Sequence, residues 1–112
     1  MFRALPNIQA DIARLIEWYL SLGDIESAII LAYLATSRKC VSFERLKSIC
    51  REVLGKEPDT KRILSKFVQW RTRRIIENCA KGQYKLHDNV KVDFNKLADV
   101  LKTLLIRAPR LT

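Results

Sequence analysis

Long apolar runs, glycine and cysteine are all scarce in this sequence. Its most apolar stretch, residues 25–35, falls short of the roughly 18–20 residues that a membrane-spanning helix needs. The first residues do not resemble a secretory signal, because acidic Asp11 and Glu17 interrupt the apolar residues that come next. We therefore expect an intracellular protein that does not act on membranes.

The sequence also lacks the motifs of common enzyme classes. Its three glycines form no phosphate-binding loop, and its single histidine has no evident nucleophile as a partner. Cys40, Cys50, Cys79 and His87 do not suit a zinc site, since no two cysteines lie two to four residues apart. The sequence therefore predicts neither an enzyme nor a bound metal, cofactor or small-molecule substrate.

Positive charge, in contrast, is abundant and unevenly spread. The formal net charge is +9, and residues 38–74 hold twelve basic and four acidic side chains, a net +8. A basic patch concentrated in one segment is typical of proteins that bind nucleic acid. The alternative is a solvated basic surface without a ligand, and charge alone does not decide between the two.

The 112 residues suit one compact domain, and a hydrophobic content of 48% argues against general disorder. Hydrophobic periodicity and capping residues predict five helices, over residues 7–22, 25–37, 43–54, 60–74 and 93–108. In the fourth helix the apolar residues are predicted to form one face, Ile63, Leu64, Phe67, Val68 and Trp70. The opposite face carries Lys61, Arg62, Ser65, Lys66, Gln69, Thr72 and Arg73.

The spacing of apolar residues changes after the fourth helix. Residues 75–79 are rich in strand-forming side chains, and residues 83–87 alternate between polar and apolar. With a glycine in the intervening turn, 80–82, these segments predict a β-hairpin. Residues 39–41 predict a short extended link or strand. The expected fold class is therefore mainly α with a small β-hairpin.

The order of elements over residues 24–88 resembles that of a winged helix-turn-helix domain. Residues 65–70, Ser-Lys-Phe-Val-Gln-Trp, resemble the second half of a recognition helix, and residues 82–86, Gly-Gln-Tyr-Lys-Leu, resemble the returning strand of a wing. Residues 74–76, Arg-Ile-Ile, stand where the family often has Gly-Leu-Ile. The resemblance implies a single domain, 1–112, with a winged-helix core flanked by helices over 7–22 and 93–108.

In length, flanking helices and these residues, the whole chain is similar to small winged-helix DNA-binding proteins of crenarchaeal (Sulfolobus) spindle-shaped viruses. That similarity implies a transcriptional regulator acting on double-stranded DNA in the cytoplasm of a hyperthermophilic archaeal host cell. It carries no short diagnostic motif. A protein-interaction module that uses the amphipathic outer helices is the alternative function.

The winged-helix resemblance assigns DNA contacts to three parts of the chain. The recognition helix lies in the major groove, where base contacts are expected from Lys61, Arg62, Ser65, Lys66 and Gln69. Arg73 and Arg74, at the end of that helix, are expected to contact phosphate. Further contacts to the DNA backbone or minor groove are expected from the wing and the preceding helix, at Lys81, Gly82, Lys85, Arg45, Lys47 and Arg51.

An intracellular disulfide is unusual, but hyperthermophilic proteins are a known exception. Cys40 and Cys79 are both predicted near the small sheet, so this pair is favoured, although the sequence does not settle the pairing. Cys50 is expected to be a buried helix residue that packs like a small hydrophobe.

Each outer helix has one apolar stripe that must be covered. The helices either pack on their own domain or form a two-fold dimer, and we favour the dimer. Its expected contacts are Ile12, Leu15, Tyr19, Leu97, Leu101 and Leu104. A dimer of this kind places two recognition helices ~34 Å apart and predicts a palindromic DNA site.

Overall fold

The computed structural model describes residues 11–107. Within them the chain forms five helices and one three-stranded antiparallel sheet, so the expected mainly helical fold is confirmed. In chain order the elements are α1 (Ile12–Ser21), α2 (Ile25–Ser37), β1 (Val41–Ser42), α3 (Phe43–Leu54), α4 (Thr60–Thr72), β2 (Ile76–Ala80), β3 (Gln83–Leu86) and α5 (Phe94–Arg107). No helix in this part of the chain is both long enough and apolar enough to cross a membrane.

Each of the five helices begins after a side chain that accepts a hydrogen bond from a backbone N–H of the first turn. The caps are Asp11, Asp24, Ser42, Asp59 and Asp93, with oxygen–nitrogen distances between 2.7 and 3.2 Å. Because these contacts are local in sequence, the predicted starts of α2, α3, α4 and α5 agree with the structure to within one residue. The predicted start of the first helix, at residue 7, lies outside the described residues, but Asp11 is an extended capping residue, so α1 begins at Ile12 and residue 11 is not part of a helix.

The end of α4 differs from the prediction. The helix stops at Thr72 rather than at Arg74, because Arg74 adopts a left-handed backbone with φ 58°. The Ile75 amide donates to the Trp70 carbonyl at 2.8 Å and closes the helix end. Glycine adopts this left-handed conformation more readily than arginine does.

The sheet has the order β1-β3-β2, so the strand next to β1 is the second strand of the hairpin. The predicted hairpin is present as β2 and β3, and the predicted extended link becomes a third strand, β1. Val41 pairs with Tyr84, and the Phe43 amide donates to the Gly82 carbonyl at 2.9 Å. A register shift between Asn78 and Ala80 interrupts the hairpin ladder.

Helix α2 lies at the centre of the fold and contacts α1, α3, α4, α5 and β3. As its almost uniformly apolar sequence predicts, most of its side chains are buried. The stripes of α1 and α5 cover α2 within the same protomer, and Ile12, Leu15, Tyr19, Leu97 and Leu104 are all buried. The two-fold interface expected from these residues is therefore wrong. Leu101 is half-buried.

Aromatic packing fixes the inner face of α4. The Phe67 ring lies between those of Phe43, Tyr84 and Trp70, with centroid distances of 5.4, 4.7 and 5.5 Å. Ile63, Phe67 and Trp70 are buried, as predicted. Leu64 and Val68, which the sequence predicts on the same apolar face, are exposed to solvent.

Candidate nucleic-acid interface

A buried hydrogen bond ties α4 to α1. Trp70 Nε1 donates to Tyr19 Oη at 2.8 Å, and the two rings meet edge to face. Burial raises the pKa of the Tyr19 phenol above its ordinary value, although the bond from Trp70 opposes that shift. Together with the packing of Phe67, this contact leaves α4 little freedom to rotate. The direction of its solvent-facing side chains is therefore fixed by the core.

Six exposed side chains form what we call the outward face of α4. Residues three and four apart share a side of a helix, and this side lies opposite the buried Ile63, Phe67 and Trp70. The outward face consists of Lys61, Leu64, Ser65, Val68, Gln69 and Thr72. Three of the five side chains expected to contact bases, Lys61, Ser65 and Gln69, therefore point away from the protein.

The other two expected base contacts, Arg62 and Lys66, lie at the edge of α4 that faces Asp24. Lys66 Nζ is 3.3 Å from Asp24 Oδ2 and 5.1 Å from the centroid of the Tyr19 ring. Arg62 Nη2 lies 4.0 Å from the same carboxylate oxygen. Asp24 is buried and also accepts a hydrogen bond from Ser27 Oγ at 2.8 Å. The Lys66 side chain is mostly covered and pairs with Asp24, whereas the Arg62 side chain remains 56% exposed.

Three arginines follow one another closely at the end of α4. Arg73 and Arg74 are exposed, and neither forms an ion pair with another described residue. Arg71, which is not among the residues expected to contact DNA, donates from Nη1 to Asn78 Oδ1 at 3.3 Å. That contact joins the last turn of α4 to β2. Its partner in the hairpin becomes evident only once the strand register is known.

The β2–β3 hairpin carries its free charge at the tip. Lys81 and Gly82 form the turn, and Gly82 has a φ of 74°, which suits glycine. Lys85 is half-buried, and its Nζ lies 3.6 Å from both Glu77 Oε1 and Asp88 Oδ1. Of the two lysines expected to contact DNA here, only Lys81 is exposed without an acidic partner among the described residues.

The two cysteines favoured as a pair lie at disulfide distance. The Cα atoms of Cys40 and Cys79 are 6.0 Å apart. Cys40 immediately precedes β1, and Cys79 lies in β2 at the register shift. Because β3 lies between these two strands, the pair links the outer strands of the sheet across the central one.

Cys50 is the remaining thiol of the described chain, and it is buried as expected. Burial raises its pKa to about 12, and the negative charges of Glu26 and Asp24 add to the rise. The thiol therefore stays protonated at neutral pH.

The expected phosphate contacts on α3 differ in their surroundings. Arg51 forms two hydrogen bonds with the Glu57 carboxylate, at 2.7 and 2.9 Å. This pairing raises the pKa of Arg51 and lowers that of Glu57. Lys47 Nζ lies 5.9 Å from the Phe43 ring centroid, while Arg45 is exposed without an ion pair to any described residue. Of these three side chains, Arg45 is therefore the most available to contact a phosphate.

No protein-family model matches this chain, and neither does any curated protein or solved structure. The candidate interface is consequently defined by its own residues. It consists of the outward face of α4, the exposed arginines after that helix and the tip of the β2–β3 hairpin.

Proposed function

We propose that this chain binds double-stranded DNA as a winged-helix protein, with α4 in the major groove and the β2–β3 hairpin as the wing. The observation that carries the proposal is the outward face of α4. It holds Lys61, Ser65 and Gln69 away from a core that fixes the helix. An α-helix fits the major groove, where side chains of these types match base edges.

The order of elements supports the winged-helix assignment. From α2 to β3 the chain runs helix, strand, helix, turn, helix and hairpin, and the short strand β1 pairs with the second hairpin strand. Helices α3 and α4 are joined by residues 55–59, which provide the turn of a helix-turn-helix. The left-handed backbone at Arg74 supports the same assignment.

The distribution of free charge supports a polyanionic partner. Lys61, Arg73, Arg74 and Lys81 are exposed and form no ion pairs with other described residues. They lie on α4, directly after it and at the tip of the hairpin. Arginine and lysine near the ends of a groove-binding helix contact phosphates and fix its position on the duplex. We assign Arg73, Arg74 and Lys81 to this role.

Transcriptional regulation is the biological role that we propose for this DNA binding. The similarity to proteins of crenarchaeal spindle-shaped viruses stays a prediction from the sequence.

A second apolar stripe on α5, which shares Leu101 with the interface expected from the sequence, supports a homodimer. Phe94, Ala98, Leu101 and Leu105 follow one another at spacings of four, three and four residues, and Phe94 and Leu105 are 62% and 48% exposed. We call these residues the α5 stripe. Alternating spacings of three and four also occur in the seam between two paired helices.

We propose a second copy of this chain as the occupant of the α5 stripe. In an antiparallel two-fold pair, Phe94 faces Leu105 of the second copy and Ala98 faces Leu101 of the second copy. Large side chains then alternate with the small Ala98, which lets the helices approach closely. Lys102, at the flank of the stripe, faces the neutral Asn95 of the second copy, so no like charges meet.

The same stripe favours the second candidate function, a protein-interaction module. In that case α5 docks another protein, and the chain has little affinity for DNA. The two functions differ in their dependence on salt, because neutralising phosphates releases counterions and makes DNA binding salt-sensitive.

The DNA-binding proposal is tested by selecting bound duplexes from random-sequence DNA and measuring affinity for the enriched site. Lys61→Ala and Gln69→Ala are each expected to weaken binding, by about 1–3 kcal/mol where the side chain contacts a base. Lys96→Ala, an exposed lysine on α5, is the matched control and should bind as the wild type does. Equal affinities for all four proteins would remove α4 from the interface.

The dimer is tested by sedimentation at increasing protein concentration. The wild type should move from its monomer mass of 13.0 kDa to twice that value, whereas Leu105→Glu should remain monomeric. Leu22→Glu places the same charge at another exposed leucine, 43% exposed at the end of α1, and should dimerise normally. A wild type that stays monomeric at high concentration contradicts the proposed pairing.

A further inference from the structure

Two aliphatic side chains stand on the outward face of α4. Leu64 is 44% exposed and Val68 is 54% exposed, and they lie one helical turn apart. The solvent-exposed parts of these two side chains add no stability to the free protein, since apolar surface stabilises a fold by being buried. Their position between Lys61 and Thr72 places them where a groove-binding helix would meet base edges.

The polar residues beside them favour one kind of base pair. Gln69, which follows Val68 in the sequence, is exposed on the same outward face, and the amide of glutamine matches the N6 and N7 atoms of adenine. Guanine is contacted mostly by arginine or lysine, but Lys66 is held by Asp24 at 3.3 Å and Arg62 lies at the same edge. Lys61 is the one cation on the outward face.

Thymine carries an apolar group that Leu64 and Val68 can contact. Its C5-methyl group projects into the major groove, and apolar side chains contact it there. Two aliphatic side chains one turn apart can cover methyl groups of neighbouring base pairs, while Gln69 binds an adjacent adenine. Cytosine and guanine offer no such group on their major-groove edges.

We infer that α4 selects A·T-rich duplexes, with Leu64 and Val68 packed against thymine methyl groups and Gln69 bonded to adenine. This inference rests on the proposed DNA binding and names the sequence class that the same face contacts. Specificity in this arrangement comes from burial of methyl groups more than from charge, because Arg73 and Arg74 are assigned to phosphate and Lys66 pairs with Asp24.

The test compares three duplexes of about 20 base pairs, roughly two helical turns. They are alternating dA-dT, the same duplex with every thymine replaced by uracil, and alternating dG-dC. Uracil lacks only the methyl group, so removing each buried methyl should weaken wild-type binding about fourfold. The dG-dC duplex should bind more weakly than dA-dT. Affinities are measured by fluorescence anisotropy at one low salt concentration.

Protein variants separate the methyl contact from changes in DNA shape. Leu64→Ala/Val68→Ala should bind the thymine and uracil duplexes equally, because the partner of the methyl group is gone. Leu22→Ala, which removes an equally exposed leucine elsewhere, should keep the wild-type preference. Lys61→Ala should lower affinity for all three duplexes while keeping the ratio between thymine and uracil.

Two results overturn the inference in distinguishable ways. If the wild type binds all three duplexes with steep salt dependence but no preference for thymine, the methyl contact is wrong and DNA binding stands. If it binds none of them at low salt, the proposed function fails as well, and Leu64 and Val68 are then the centre of a protein-docking surface.

Discussion

The buried side chain of Asp24 pairs with one lysine of α4 and leaves another without an acidic partner in the described part of the chain. It caps α2 through the Ser27 amide and at the same time holds Lys66 of α4 at 3.3 Å. The positive charge of Lys66 is thereby directed toward α1 and α2 instead of toward solvent. Lys61, on the same helix but on its outward face, has no acidic partner among the described residues. Two lysines five residues apart therefore have different roles.

Stability measurements can separate these two lysines. Lys66→Met keeps the aliphatic stem but removes the nearer of the two cations beside the buried Asp24 carboxylate, which keeps Arg62 at 4.0 Å and its hydrogen bonds from Ser27. The free energy of unfolding should fall by about 1–3 kcal/mol, the usual cost of removing a hydrogen-bonding partner from a buried charged group. Lys61→Met, the control, should change it by no more than about 0.5 kcal/mol. Equal urea denaturation midpoints for the two variants would contradict the assigned role of Lys66.

Cysteine reactivity provides a second prediction at this scale. Burial raises the pKa of Cys50 to about 12, and the thiolate is the reactive form of cysteine. At pH 8 the folded, reduced protein should therefore incorporate iodoacetamide at Cys40 and Cys79 but not at Cys50, as read by peptide mass spectrometry. In urea all three thiols should react. Labelling of Cys50 in the folded protein at a rate similar to that of the other two would contradict its burial.

At the scale of elements, α4 and the hairpin are held in fixed relation by several contacts. The Trp70–Tyr19 hydrogen bond anchors α4 to α1, and Arg71 joins its last turn to Asn78 of β2. The Cys40–Cys79 pair links the two outer strands of the sheet. A helix and a hairpin connected in this way need no further ordering before they contact a partner, which lowers the entropic cost of the proposed DNA binding.

The left-handed backbone of Arg74, at the end of α4, lowers the free energy of unfolding, and a substitution can measure this effect. A left-handed conformation is disfavoured for every residue that has a Cβ, and Arg74 adopts it with φ 58°. Arg74→Gly should therefore preserve the free energy of unfolding or raise it by up to about 1 kcal/mol, while weakening DNA binding through removal of the charge. Arg74→Val should lower stability, since a β-branched residue fits this conformation least. A destabilised glycine variant would show that the arginine side chain supports the fold.

The disulfide should contribute measurably to stability. A bond between Cys40 and Cys79 spans a sequence separation of 39 residues, and closing a loop of that size in the unfolded chain stabilises the folded state by about 2–4 kcal/mol. Adding a reductant should lower the wild-type urea midpoint to that of Cys40→Ala/Cys79→Ala. The same reductant should leave the double variant unchanged. Identical midpoints for oxidised and reduced wild type would contradict a structural role for the bond.

For the whole molecule, the sequence is most informative where structure is local. Helix starts are predictable because Asp24, Ser42 and Asp59 cap the residues that directly follow them. The surroundings of α4 are not predictable from the sequence, because the Asp24–Lys66 pair joins residues 42 positions apart and depends on how the helices pack. The apolar character of Leu64 and Val68 predicts a place in the core, but the core reaches α4 only through a narrower face centred on Phe67.

The proposed DNA binding depends on phosphate contacts from Arg73 and Arg74, the exposed cations after α4. Its most direct test is the salt dependence of affinity, measured for the wild type, for Arg73→Gln/Arg74→Gln and for the charge-matched control Lys91→Gln/Lys96→Gln. Removal of one phosphate contact should reduce the slope of log affinity against log salt by about one. We predict a steep slope for the wild type and the control, and a slope smaller by about two for the arginine variant. Equal slopes for the two variants, or no affinity for DNA at low salt, would contradict this proposal.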